Sequence, residues 1–124
     1  MGNLSEHFDE SEFVCPDCQT VHVDPGLTYL LEKARELLGR PIVIHSGFRC
    51  PNHNAAVGGT PQSAHLTGEA ADIVCAFSAD RYDLLRTFLT LGVTRIGIGA
   101  GFIHVDVSMT LPQRCAWTYS GEKA

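Results

Sequence analysis

Ten residues, Ser63 to Asp72, constrain this chain more than any others: Ser-Ala-His-Leu-Thr-Gly-Glu-Ala-Ala-Asp. Gly68 permits a tight turn just after His65. Ala70, Ala71, Ile73 and Val74 then form a small-to-branched run suited to a packed strand that carries Asp72. Downstream, Phe102-Ile103-His104-Val105-Asp106-Val107 reads as a second strand. Side chains alternate across a strand, so Phe102, His104 and Asp106 share one face while Ile103, Val105 and Val107 point into a core. Taken singly, each His is more often a packed or surface residue than a ligand, and an Asp after a turn is more often a cap. Together, His65, Asp72 and His104 offer two imidazoles and a carboxylate, a set that Zn²⁺ accepts. Three protein ligands leave one coordination position for water and substrate.

The rest of the composition narrows the class. A chain of 124 residues, 44% hydrophobic and 19% charged, suits a single globular domain over 1–124, with a core that needs no disulfides. A formal net charge of −5 without a Lys/Arg stripe argues against nucleic acid as a partner. No apolar run approaches the ~18 residues of a membrane span. The first residues show neither a positive n-region nor an apolar h-region, so no secretion signal is expected, and the place of action stays open.

In chain order, residues 1–24 form an N-terminal segment with Phe8 and Phe13 as apolar pegs and a helical turn near Glu10 to Phe13. Asp24 caps a helix with Pro25 at its first position, Leu27, Leu30, Leu31, Ala34, Leu37 and Leu38 at helical spacing, and Gly39 at its end. Pro41 to His45 reads as a strand, and Asn52 to Ala56 as a brief helical turn before the Gly58-Gly59 break. Ser78 is the expected cap of a second helix carrying Tyr82, Leu85, Phe88 and Leu89 and stopping at Gly92. Thr94 to Gly99 and Phe102 to Val107 form a hairpin. Residues 109–124 are broken by proline and read as an irregular tail, with Trp117 as a docking peg. The class is α+β, a small, largely antiparallel sheet with helices packed on one side.

Four segments, taken in order, carry a resemblance. They are Ser-Gly-Phe-Arg-Cys-Pro-x-His-Asn (46–54), Val-Gly-Gly (57–59), Ser-x-His-x-x-Gly-x-Ala-x-Asp (63–72) and Phe-Ile-His-Val-Asp-Val (102–107). Together they resemble the zinc D-Ala-D-Ala carboxypeptidase family, which includes L-Ala-D-Glu endopeptidases and shares its fold with Hedgehog domains. The resemblance implies a Hedgehog/DD-peptidase-like fold, a zinc ion on His65, Asp72 and His104, and peptidoglycan stem peptides as substrate. It also implies that Arg49 binds the substrate's carboxylate or a carbonyl, and that Ser63 holds the substrate or the site. A guanidinium suits a carboxylate because it donates two parallel hydrogen bonds. The competing roles are a structural ion pair for Arg49 and a turn cap for Ser63.

Metal-assisted hydrolysis needs a group that takes and returns the proton of the attacking water. Many members place an acid three residues before the last His ligand, where this chain has Gly101. Asp106 is the expected acceptor. Its competing role is to receive the proton of a ligand His and fix that tautomer. Glu69 is the weaker alternative. A binding module of the same fold with little turnover is the second function class.

The cysteines make a separate point. Cys15-x-x-Cys18 and Cys50-x-x-His53 are two chelating half-sites that could hold a structural zinc, with His22 as a substitute for His53. A Cys15–Cys18 or Cys15–Cys50 disulfide and free thiols are the alternatives. Cys75 reads as a small buried hydrophobe. Cys115 has no readable role, and a monomer is expected.

Overall fold

Local chemistry sets the first long helix of the computed structural model, which describes residues 2–119. The Asp24 side chain accepts the N–H of Gly26 at 2.9 Å, Pro25 sits where no donor is needed, and α1 runs over Pro25–Leu38. Gly39, at φ 78°, closes it through the Arg35 carbonyl. Its inner stripe is Leu27, Leu31 and Ala34, all buried, whereas Leu37 is exposed. A short helix, α2 (Pro51–Ala56), follows at the expected place.

The third helix, α3 (Ser78–Thr90), differs from expectation in two ways. Phe77, in extended backbone, is the N-cap residue and provides no side-chain bond, so Ser78 lies inside the first turn rather than capping it. The buried stripe is Leu84, Thr87 and Phe88, with Leu85 packed at its edge, while Tyr82 and Leu89 face solvent. Only one side of α3 has a sheet and α1 to cover, so Tyr82 and Leu89, a quarter-turn or more away from Leu84 and Phe88, are left to solvent.

Five strands make one mixed sheet in the order β1-β2-β4-β3-β5: β1 is Ile44–Ser46, β2 Ala70–Val74, β3 Arg95–Ile98, β4 Phe102–Asp106 and β5 Cys115–Thr118. All neighbours are antiparallel except β3 and β5, which are parallel. The strand expected at Pro41 to His45 begins later, at Ile44. The tail expected to be irregular contains β5, which registers Trp117 against Gly97. Residues 120–124 of that tail lie outside the described residues. Four residues are too few for an alternation to stand out in a proline-containing stretch.

The strand alternation holds where it matters. Ala71, Ile73, Ile96, Ile103 and Val105 join Leu31 of α1 and Phe88 of α3 in the core, and Val107 packs at its edge. Truncating a fully buried Leu or Phe of this kind to Ala costs about 2–5 kcal/mol. The opposite face carries Asp72, His104 and Asp106, and the sequence buries all three.

The N-terminal segment docks by its two phenylalanines, both buried, with ring centroids 6.3 Å apart. A 3₁₀ turn, Glu10–Glu12, starts with a reciprocal Asp9/Glu12 capping box. The segment then runs beside residues 47–50, where Phe48 N–H donates to the Phe13 carbonyl at 2.9 Å. Gly47 is needed there, because a Cβ would stand 2.7 Å from the Phe13 Cα. Among the described residues, no helix is long and apolar enough to cross a membrane.

Candidate metal centre and the groove beside it

His65 sits in a 3₁₀ turn, Ala64–Thr67, that Ser63 caps by accepting the His65 N–H at 3.2 Å. Gly68 ends the turn at φ 75°, and a Cβ there would lie 2.2 Å from the His22 carbonyl oxygen. The chain can therefore turn back into β2 only with glycine at this point. Asp72 and His104 are cross-strand partners in the β2–β4 ladder. The three side chains converge: His65 Nε2 is 3.2 Å and His104 Nδ1 3.0 Å from Asp72 Oδ1.

Each imidazole is fixed from its far side. His65 Nδ1 lies 2.7 Å from the Gly47 carbonyl, to which it donates, leaving the Nε2 lone pair toward Asp72. His104 Nε2 lies 2.8 Å from Asp106 Oδ2 and donates there, leaving Nδ1 toward Asp72. Asp106 Oδ1 accepts from Arg95 Nε at 2.8 Å and from the Ser108 N–H at 3.2 Å. The His104 ring thus stands between Asp106 and the convergence point.

The donor set fits zinc. One nitrogen from each His and one Asp72 oxygen all lie within 4.8 Å of one another, and all three residues are buried. Zn–N and Zn–O bonds of about 2.1 Å in a tetrahedron separate neighbouring ligand atoms by roughly 3.4 Å, close to the spacings here.

Electrostatics follow the same geometry. Burial alone would raise the Asp72 carboxyl, but while no ion takes the facing lone pairs, a proton on His104 Nδ1 or His65 Nε2 is donated to Asp72 and holds it far below the usual carboxylate range. Burial pushes the His65 imidazole down, with Asp72 opposing. Burial also works against charge on His104, yet the hydrogen bonds to Asp106 and Asp72 lift it above its ordinary value.

Arg49 lies beneath this centre rather than in the open. It is 1% exposed, and it donates from Nη2 to Asp72 Oδ2 at 3.2 Å and from Nη1 to Asn54 Oδ1 at 3.2 Å. Its backbone N–H donates to the His65 carbonyl at 3.1 Å, so one residue ties two ligand-bearing elements.

His104 opens onto a groove of about 700 Å³, a size suited to a short peptide. Ser63 and Asp106 contribute to its lining, as do Arg95, Arg114, Trp117 and Tyr119. Trp117 and Tyr119 form an aromatic wall: the Trp117 ring is 5.3 Å from that of His104, and Tyr119 is 5.0 Å from Phe102. Burial pushes the Tyr119 phenol up to about 12, so it is a hydrogen-bond donor at neutral pH. Sequence reasoning gave Trp117 only a docking role and missed Tyr119, Arg95 and Arg114. The signal was the aromatic alternation of Trp117 and Tyr119, and it becomes legible only with β5 beside β3.

The thiols also gather. Cys15, Cys18 and Cys50 each bring a sulfur within 4.8 Å of the others, and all are free. His53, expected as the fourth ligand, is not in that cluster, and neither is His22. Cys75 is buried as expected, while Cys115 starts β5 beside the groove.

The family model of peptidase M15 matches residues 6–106, which include every ligand of the centre. The chain belongs to the peptidase M15 family. Its members are zinc-dependent metallopeptidases, and the resemblance carried by the four motifs is thereby borne out. A comparison with curated proteins gave no match. Membership makes a peptide the substrate class, and the His65/Asp72/His104 set is this M15 chain's candidate zinc site.

Proposed function

We propose that this M15 chain hydrolyses peptide bonds of peptidoglycan stem peptides, as a D-Ala-D-Ala carboxypeptidase or an L-Ala-D-Glu endopeptidase, on a Hedgehog-like fold. One observation carries the reading: two buried imidazole nitrogens converge on Asp72 Oδ1, and the outermost ligand, His104, opens onto a peptide-sized groove. His65, Asp72 and His104 hold the zinc. Bound there, zinc lowers the pKa of a water toward neutrality and polarises a carbonyl.

The protein's own groups hold the metal ligands and the substrate in place. The Gly47 carbonyl and Asp106 orient the two imidazoles so that a lone pair of each faces the ion. Asp106 therefore acts on His104, the second of its two expected roles, since both its oxygens are engaged away from the convergence point. Arg49 positions Asp72 and does not grip the substrate. Arg114, exposed on the groove wall, takes a substrate carboxylate. Tyr119 donates a hydrogen bond to the carbonyl under attack.

A second reading, binding without turnover, is favoured by Gly101, where many members carry an acid. One experiment separates the two. Purified zinc-loaded protein is incubated with muropeptides, and the products are weighed by mass spectrometry. Fragments shortened by D-Ala, or split at L-Ala-D-Glu, support hydrolysis if His65→Ala releases none. Retention of intact muropeptides without any fragment overturns it in favour of the binding module.

A further inference from the structure

The thiol cluster lies apart from the groove and takes no part in the proposed hydrolysis. We propose that Cys15, Cys18 and Cys50 form a second metal site, taking a thiophilic divalent cation such as zinc and fastening the N-terminal segment to the loop that carries Arg49.

The spacing is that of a shared ion. Cys15 and Cys50 sulfurs are 3.7 Å apart. Tetrahedral zinc with Zn–S bonds of about 2.3 Å separates neighbouring sulfurs by roughly 3.8 Å. The backbone is already wrapped around the innermost sulfur. Cys50 N–H donates to Cys15 Sγ at 3.4 Å, and the N–H groups of Cys18 and Asp17 also point to it. The turn is closed by Cys15 N–H to Thr20 O and Gln19 N–H to Cys15 O, each 2.9 Å. Gln19 pays for the closure with a left-handed φ of 61°. Such backbone persists only where its surroundings fix it.

Charge sets the ligand class. Three thiolates are soft donors that select zinc or similar cations over calcium or magnesium. Binding displaces the thiol protons to solvent, and no redox step is involved. Cys18 is exposed, and Asp17 Oδ2 stands 3.8 Å from Cys50 Sγ, so the fourth position lies on the solvent side, where water or Asp17 completes it.

The site spans two segments that otherwise meet through Phe13, Gly47 and Phe48. Cys50 directly follows Arg49, whose guanidinium holds Asp72. An ion here therefore steadies the catalytic centre from below, without touching substrate.

The test counts metal and needs no activity. Protein purified under reducing conditions is loaded with zinc or Co²⁺, desalted and analysed. Two zinc ions per wild-type chain are expected, falling to one in Cys15→Ser/Cys18→Ser/Cys50→Ser and to one in His65→Ala/His104→Ala. The cobalt form of the wild type, and of the histidine variant, should show a sulfur-to-cobalt charge-transfer band in the near ultraviolet. This readout survives if the cysteine variant fails to fold. Absence of that band, or a Cys15–Cys18 or Cys15–Cys50 disulfide in the native protein by mass spectrometry, would overturn the proposal. The histidine variant keeps the outcome distinct from failure of the peptidase reading.

Discussion

The two clusters of candidate metal ligands are built by opposite means. The His65/Asp72/His104 centre stands on paired strands and a capped turn, and every donor is locked by a further partner. The Cys15/Cys18/Cys50 cluster stands on loops, and backbone N–H groups surround its innermost sulfur. The first is rigid before any ion arrives, because its charges already balance one another. The second, on the proposal above, would bring three like-charged thiolates together only around a cation. Rigid, pre-paired ligands beside a groove suit chemistry, whereas loop thiols joining two segments suit fastening.

The largest expected effect tests this difference in pre-organisation. Asp72→Ala removes the buried counter-charge of Arg49 as well as a ligand. It should cost about 3–5 kcal/mol of stability, and most of that loss should persist in a chelator. Cys50→Ser should destabilise only while metal is present. Urea unfolding of both variants with and without EDTA checks this. Should chelation erase the Asp72→Ala loss as completely as the Cys50→Ser loss, the two centres are not built differently.

Next in size is the hydrogen bond that His104 donates to Asp106. Asp106→Ala should weaken zinc affinity by about 10–100-fold, whereas Asp106→Asn keeps an acceptor for His104 Nε2–H and retains most of it. A competition with a chromophoric chelator measures both. If Asp106→Asn binds zinc normally yet abolishes hydrolysis, Asp106 is the proton acceptor after all and the orienting role assigned above is wrong.

How much of this was legible beforehand follows the range of the interactions. Alternation on β4 put His104 and Asp106 on one face and Ile103 and Val105 in the core, and Asp24, Pro25 and Gly39 marked α1, because such signals lie within a few residues. The depth of Arg49 was not legible. A guanidinium after Gly-Phe can face substrate or be buried on an aspartate, and only the packing of β1, α2 and β2 decides. The fourth thiol-site ligand failed for a similar reason: Cys-x-x-His spacing permits chelation, but in α2 His53 lies outside the thiol cluster. β5 was invisible because parallel pairing with β3 is a long-range fact.

That strand gives the third test, since only the strand-built centre has a wall. A Cβ at Gly97 would lie 2.6 Å from Trp117 Nε1 and 2.9 Å from Tyr119 Cε2. Gly97→Ala should therefore displace the aromatic wall and lower kcat/KM by about tenfold, or ~1.4 kcal/mol of transition-state stabilisation. The zinc count should stay unchanged. Loss of zinc instead would mean that the wall and the metal centre are one mechanical unit.

The smallest effect probes how the thiol-bearing segment is held when its cation is gone. Glu32 on α1 accepts from Ser5 Oγ at 2.7 Å and from His7 N–H at 3.0 Å, and it pairs with the His7 ring. Burial would raise its carboxyl, but the His7 and Ser5 hydrogen bonds hold it below its ordinary value. A depressed folded-state pKa means stability that is present above the unfolded value of 4.5 and lost as pH falls through the folded one. Glu32→Gln should thus cost about 1 kcal/mol or less at neutral pH, with the difference from wild type closing in acid. The two fastenings share one segment, so their effects should not add. The Glu32→Gln loss should be larger in EDTA than with metal, as measured by thermal unfolding in both conditions. Equal losses would show that the thiol cluster contributes nothing to docking this segment, and the contrast between the two centres would reduce to a difference in ligands alone.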